Sequence, residues 1–408
     1  MKKRLKKNIL IHGMCIVCGT LSLTGCGAAA KKYETVSASE AMVQEEVNAA
    51  GKEAEPEAES KAELPVIEIE AETKSAETDA AEAEEKEEPV TFLFAGDIYL
   101  SEHVRNAYVN AGGIDGVLDE TLQAEIASAD LFIANQEFPF SDRGTQAPDK
   151  QYTFRLPTDT VHMMREIGTD LVTLANNHAL DYGTDALLDT CMVLDEAGIL
   201  RVGAGADLEE AGRMEVVELD GTRYGFLGAS RVFPVAEWAA GANHPGMLSA
   251  YDPEALSAAI REAKTRCDYL IVYVHWGIER STMPENYQRI QGRQYIDAGA
   301  DMVVGSHPHV LQGIEYYNGK PILYSLGNFI FGSSIPETIL VKAEIETDGS
   351  TSLSLIPAVS SGGYTRPMED AKLSAFYERM ESLSEGIEIM EDGHVVSEGE
   401  TGGAYPGE

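Results

Sequence analysis

His307 and His309 stand one residue apart in Gly305-Ser306-His307-Pro308-His309-Val310-Leu311-Gln312, directly after the apolar run Met302-Val303-Val304. On an extended backbone the two imidazoles point to one side, roughly 6–7 Å apart, near enough to face one or two metal ions. Four other apolar runs end in polar groups of the same kind. Phe92-Leu93-Phe94-Ala95 leads to Gly96-Asp97, Leu131-Phe132-Ile133-Ala134 to Asn135-Gln136-Glu137, Leu171 to Ala175 to Asn176-Asn177-His178, and Ile271 to Val274 to His275-Trp276-Gly277-Ile278-Glu279. Asp97, Glu137, Asn177, His275, His307 and His309 mix oxygen and nitrogen donors, a set that suits Zn, Mn or Fe better than an all-oxygen Mg or Ca cage. A divalent metal among them would support metal-assisted hydrolysis of a phosphoryl or carbonyl centre. His178, beside Asn177, is placed to act as an acid on the leaving group instead of as a ligand. A lone histidine is usually a satisfied structural residue. Four of the nine histidines fall in these strand-end motifs, which argues for a site.

The elements that must position these residues are legible in the same pattern. Continuous apolar runs are strands buried on both faces, and polar residues at their carboxyl ends build a site along one rim of an open α/β sheet. Helical spacing over Leu118–Ala129, Leu156–Ile167 and Thr184–Ala197, with Thr184 as a cap and Gly198 as a stop, alternates with the first strands and implies parallel pairing in a layered α/β core. Asp252-Pro253 opens a helix running to Cys267, and Tyr287–Ala298 reads as the next. Asp220-Gly221 and Asn318-Gly319 each join two strands in a hairpin, so the sheets are mixed. Two further strands, Thr338–Ile345 and Ser352–Ile356, and a helix over Lys372–Leu383 close the domain. Trp276 reads as a buried ring more readily than as a lid.

The ends read differently. Lys2, Lys3, Arg4, Lys6 and Lys7 precede an apolar stretch from Ile9 to Leu23, a secretory signal too short for a membrane span. Leu23-Thr24-Gly25-Cys26 resembles the lipobox of bacterial lipoproteins, which implies that residues 1–25 are removed and that Cys26 carries a lipid anchor on the outer face of the cell membrane. Residues 26–89 are mostly Ala, Glu, Lys, Ser and Thr and are expected to be a disordered acidic tether. Residues 385–408 are expected to be a disordered tail, leaving 90–384 as the folded domain. Cys191 and Cys267 sit at apolar helical positions and read as buried free thiols.

Residues 26–89 hold 19 acidic and 6 basic side chains and the first 25 hold five basic ones, so of the formal net charge of −37 about −29 falls on residues 90–408. So acidic a body is a poor partner for nucleic acid or for bare anionic lipid.

Gly96-Asp97, Asn135-x-Glu137, Ala175-Asn176-Asn177-His178, His275-Trp276-Gly277-x-Glu279, Gly305-x-His307-Pro308-His309-Val310-Leu311-Gln312 and Ser325-Leu326-Gly327-Asn328-Phe329 together resemble the motif series of CapA-type capsule biosynthesis proteins. These are accessory proteins of poly-γ-glutamate synthesis. That family is similar to the calcineurin-like metallophosphoesterases, which implies an αββα sandwich of two mixed sheets flanked by helices. The resemblance gives Asp97 as the first metal-ligand aspartate, Glu137 as the bridging acid, Asn177-His178 as the Asn-His pair, and His275, His307 and His309 as later ligands. The phosphoesterase pattern has Asp-x-His at its first motif, whereas Asp97 is followed by Ile98 and Tyr99. With that ligand missing, the expectation is one divalent ion rather than two, or none.

Two functions follow. One is a surface-anchored component that helps a membrane synthase make, export or retain poly-γ-glutamate. The other is a metal-dependent hydrolase, a phosphoesterase or γ-glutamyl amidase, acting on an envelope polymer. A polyglutamate partner would be repelled by the acidic body unless metal ions or a patch made by Arg280, Arg289 and Arg293 offset the charge.

Overall fold

The computed structural model describes residues 88–397. The signal stretch, Cys26, most of the tether and the last eleven residues lie outside the described residues. Two mixed sheets carry the described fold. In the larger, Val90–Ile98, Leu131–Gln136, Leu171–Thr173 and Leu200–Val202 pair side by side in parallel. On its other side Val90–Ile98 pairs antiparallel with Ser334–Ile345, which pairs antiparallel with Thr351–Ser361. In the smaller sheet, Lys320–Leu323, Met302–Ser306, Tyr269–His275 and Thr222–Ser230 run parallel, with the hairpin partners Ile314–Tyr317 and Glu215–Leu219 antiparallel at the two edges.

Side chains alternate across each strand, so the apolar runs supply three cores. Phe92, Phe94 and Ile133 meet Phe226, Ile271 and Val304 between the sheets. Leu93, Phe132 and Val172 face outward under the helices Val161–Ile167 and Thr184–Ala197 through Met163, Met164, Leu187 and Leu194. On the opposite outer face Leu270, Val272 and Val303 pack under the helices Pro253–Lys264 and Asn286–Ala298 through Leu256, Ile260, Tyr295 and Ile296. The result is an αββα sandwich of two mixed sheets, as expected.

The local signals held in most places. Asp220-Gly221 and Asn318-Gly319 turn their hairpins, each in the left-handed region, and the Asp252 side chain accepts from the amides of Glu254 and Ala255 ahead of Pro253. Gly198 ends its helix in the left-handed conformation, but the other end is capped by the backbone of Gly183, with Thr184 already the first helical residue. The Leu156–Ile167 helix is shorter than its apolar spacing suggests, because Pro157 leads first into a 3-10 turn over Thr158–Thr160. A helix over Glu102–Ala111, capped by Ser101, was not legible, since Val104 is the one residue it buries. Cys191 and Cys267 are free and buried. Trp276 is fully buried, with its indole N–H donating to Tyr324 O at 2.9 Å.

The tail reading is corrected for residues 385–397. Ile387–Ile389 and His394–Ser397 form a hairpin that pairs with Thr351–Ser361 and extends the large sheet. Its composition is polar, but Ile387, Ile389 and Val395 join the core between the sheets, and Val396, on the other face of its strand, is buried as well. The turn is closed by Gly393 at a φ of 88°. Truncation after Leu383 should therefore lower stability by on the order of 5 kcal/mol, from four lost apolar side chains. The check is a denaturant midpoint for the chain ending at residue 383 against the full chain.

Candidate metal centre

Every expected ligand leaves a strand at the same rim. Asp97 is the penultimate residue of the central strand of the large sheet, opposite Asn328. Glu137 follows the neighbouring strand Leu131–Gln136, and Asn177 lies in the turn after Leu171–Thr173. His275 is the last residue of its strand in the small sheet. The strand Met302–Ser306 stops before His307, and His307 and His309 both have positive φ, 98° and 59°. The histidine pair therefore lies on a turned backbone, not the extended one that gave the 6–7 Å expectation, and the ring centroids are 5.9 Å apart. Left-handed backbone at two non-glycine residues is strained, and such strain is found where a site over-determines it.

The six residues converge. Glu137, His275 and His307 form one group of donor atoms within 4.8 Å of one another, and Asp97, Glu137 and His309 form a second that shares the Glu137 carboxylate. Asn177 Oδ1 lies 2.8 Å from His275 Nε2. Amides and a hydroxyl hold the donors in place: Asn135 Nδ2 donates to Asp97 Oδ1 at 2.8 Å, Asn176 Nδ2 donates to Asn135 Oδ1 at 2.9 Å, and Ser306 Oγ meets His275 Nδ1 at 2.9 Å. His309 Nδ1 bonds Asn328 Oδ1 at 2.8 Å.

What this framework leaves unsatisfied identifies its use. Both Glu137 oxygens, Asp97 Oδ2 and His307 Nδ1 are buried and make no hydrogen bond. Orphaned buried acceptors of this kind are costly, and carried by residues of these two donor groups they make the arrangement that a cation completes. The electrostatics agree. Burial, reinforced by the Asp97 carboxylate, raises the Glu137 pKa well above the usual range. Burial and the neighbouring His309 lower His307 to about 3. Burial also opposes charge on His309, but Glu137 and Asp97, 3.8 and 3.3 Å from Nδ1, outweigh it and lift its pKa to about 10. The imidazolium thus sits where two carboxylates demand positive charge. The buried Asp, Glu and His grouping can hold a metal ion.

His178 stands beside this grouping and belongs to neither set of three. Its Nδ1 is 2.6 Å from Asp181 Oδ2, and its ring stacks on Phe154 with centroids 4.1 Å apart. Burial lowers its pKa against the pull of Asp181. The Asp181 contact leaves Nε2 as the nitrogen with no hydrogen bond among the described residues.

Sequence reasoning missed the groups around His178. Residues 141–156 form a strap without regular structure, closed at its base by Leu156 N donating to Pro139 O at 3.0 Å and Ser141 N donating to Leu156 O at 2.9 Å. The strap brings Lys150 Nζ onto Asp181 Oδ1 and Asn177 O, and 3.1 Å from His178 Nδ1. Asp181 is fully buried and also accepts from Phe154 N at 2.6 Å. The signal for Asp181 was its place three residues after His178; Lys150, in a polar loop, had none. Of the arginines expected to form a patch, Arg293 is engaged by Glu315 at 2.6 Å and Arg289 lies 5.6 Å over the Tyr324 ring, whereas the Arg280 amide donates to Pro308 O at 2.8 Å, between the two histidines.

Comparison with known proteins bears on the family of the chain. The chain is 32% identical over 294 residues to the capsule biosynthesis protein CapA of Bacillus anthracis, covering 70% of this chain and 71% of that one. It is 33% identical over 269 residues to the PGA biosynthesis protein CapA of Bacillus subtilis, covering 65% and 70% respectively. Among solved structures, TT1561 of Thermus thermophilus aligns with 62% of this chain and 94% of its own at 11% identity and a TM-score of 0.36, too distant to carry weight. Residues 91–333, which span every strand-end motif, match the family described as bacterial capsule synthesis protein PGA_cap, and the chain belongs to that family.

Proposed function

We propose that this chain acts in capsule or poly-γ-glutamate biosynthesis as a lipid-anchored protein on the outer face of the cell membrane, and that its site is a divalent metal centre facing the polymer. The observation that carries the reading is the set of buried, hydrogen-bond-free atoms of Asp97, Glu137 and His307, converging in a member of this family. Two groups sharing one carboxylate favour two ion positions, despite the absence of a histidine after Asp97. A bound divalent cation supplies Lewis acidity toward a phosphoryl or amide oxygen. Asn135, Asn176 and Ser306 orient the ligands, and the carboxylates neutralise positive charge that the αββα interior would otherwise reject.

Hydrolysis is the second reading, and His178 favours it. Asp181 fixes the ring through Nδ1, Phe154 holds its plane, and Nε2 remains for a proton transfer to a leaving group. The test is incubation of the purified chain, reconstituted with Zn, Mn or Fe, with poly-γ-glutamate, following both binding and chain length. Cation-dependent binding or shortening supports the reading, and shortening lost in His178→Asn supports hydrolysis. A polymer neither bound nor shortened, with metal or with chelator, removes the proposal.

A further inference from the structure

In this acidic chain many of the cations meet carboxylates: Arg201 with Asp195 and Glu210, Arg223 with Asp268, Lys264 with Asp301 and Arg293 with Glu315 are instances. Three arginines on segments bordering the metal centre form no ion pair among the described residues. Arg231 follows the strand Thr222–Ser230, and its amide donates to His275 O at 2.9 Å. Its guanidinium lies between two rings, 4.8 Å from the Tyr251 centroid and 4.4 Å from that of Tyr287, and donates to Tyr251 O at 3.1 Å. Tyr287 is itself fixed at this rim by accepting from Gly277 N at 2.7 Å. Arg280 is exposed, tied by its amide to Pro308 O between the two histidine ligands, and held at a φ of 64°. Arg155 is exposed beside Phe154, the residue stacked on His178, and its guanidinium sits 4.1 Å from the Tyr182 centroid while donating to Arg143 O at 2.8 Å.

The way the Arg155 and Arg231 guanidiniums are held matters, whereas Arg280 is placed through its backbone. A tyrosine face or a backbone carbonyl fixes the guanidinium while leaving N–H groups at its edge for a bidentate acceptor, which a salt bridge would consume. A body of net charge about −29 disfavours approach of any polyanion, so arginines without an ion pair on three segments bordering one site supply the positive charge that such a ligand needs there. We propose that Arg155, Arg231 and Arg280 form a carboxylate-binding collar at the metal centre, and that its ligand is a chain molecule bearing several free carboxylates. The proposal rests on the reading that the site faces an envelope polymer, and it names the residues that select it.

The experiment measures fluorescence anisotropy of labelled poly-γ-glutamate oligomers with the metal-reconstituted full chain, with inorganic polyphosphate and neutral dextran in parallel. Arg231→Gln should weaken oligomer binding about tenfold or more, the combined R155Q, R231Q and R280Q variant further, and R231K by an intermediate factor because charge remains and the fork is lost. Metal content, which these arginines do not ligate, should stay at the parent level and reports that the variants are folded. A combined variant that binds as the parent does overturns the collar and leaves the polymer reading standing. Polyphosphate bound as tightly as the oligomers, and lost equally in the variants, overturns the choice of carboxylates. A parent chain that holds metal and binds no oligomer overturns the collar together with the polymer reading.

Discussion

His307→Ala should lose divalent metal by more than about a hundredfold in affinity, beyond the ~10–100-fold that a supporting residue costs. Elemental analysis after equilibrium dialysis reads it directly. The variant is informative because of what His307 does without metal. Its Nδ1 is buried with no hydrogen bond, so removing the ring deletes an unsatisfied group and should leave metal-free stability equal or improved. Alanine also retains the Cβ, so the strained φ of 98° persists and the loss reports the imidazole alone. Ser306→Ala, which removes the hydroxyl 2.9 Å from His275 Nδ1, should cost the smaller, supporting-residue factor. Parent-level metal in His307→Ala would sink the group built from Glu137, His275 and His307.

Gly96→Ala should be the most destabilising small substitution at the site, by about 3 kcal/mol or more. A Cβ at that position would stand 1.9 Å from Gly327 O and 2.8 Å from Gly327 C, backbone atoms that cannot swing aside. The same carbonyl accepts from Asp97 N at 2.8 Å, so any movement that relieves the clash displaces Asp97 and, with Gly327, the neighbouring Asn328 that supports His309. A urea midpoint lowered with metal binding lost in parallel is the expected result. Gly305 repeats the device in the small sheet, where a Cβ would meet Tyr324 O at 2.1 Å and Trp276 Nε1 at 2.5 Å. An unchanged midpoint for Gly96→Ala would show that the 325–328 segment yields.

These two glycines mark the boundary between what sequence reading reaches and what it does not. Gly96-Asp97 and Gly305-x-His307 were visible as motifs, because strands buried on both faces write continuous apolar runs and any polar residue at their ends stands out. The crossing of Leu326-Gly327 over Gly96 is a contact between segments 231 residues apart in number and leaves no local trace. The ligands were legible for the same reason as the strands. Lys150 and Asp181 were not, since a cation in an irregular strap and an acid beyond a turn look like ordinary surface until Asp181 proves fully buried. The turn that sets His307 and His309 was misread because Pro308 between them also fits an extended segment. The hairpin Ile387–Ser397 escaped because its strands are three and four residues long and set in polar composition.

Asp97, Glu137 and Asn177 leave the large sheet, whereas His275, His307 and His309 leave the small one. A cation held by both sets is therefore a crosslink between the two halves of the sandwich. Its binding free energy adds to resistance against shearing of one sheet over the other, by the same linkage that makes any native-state ligand a stabiliser. Occupancy of the site would then govern how long the fold endures as well as what it does.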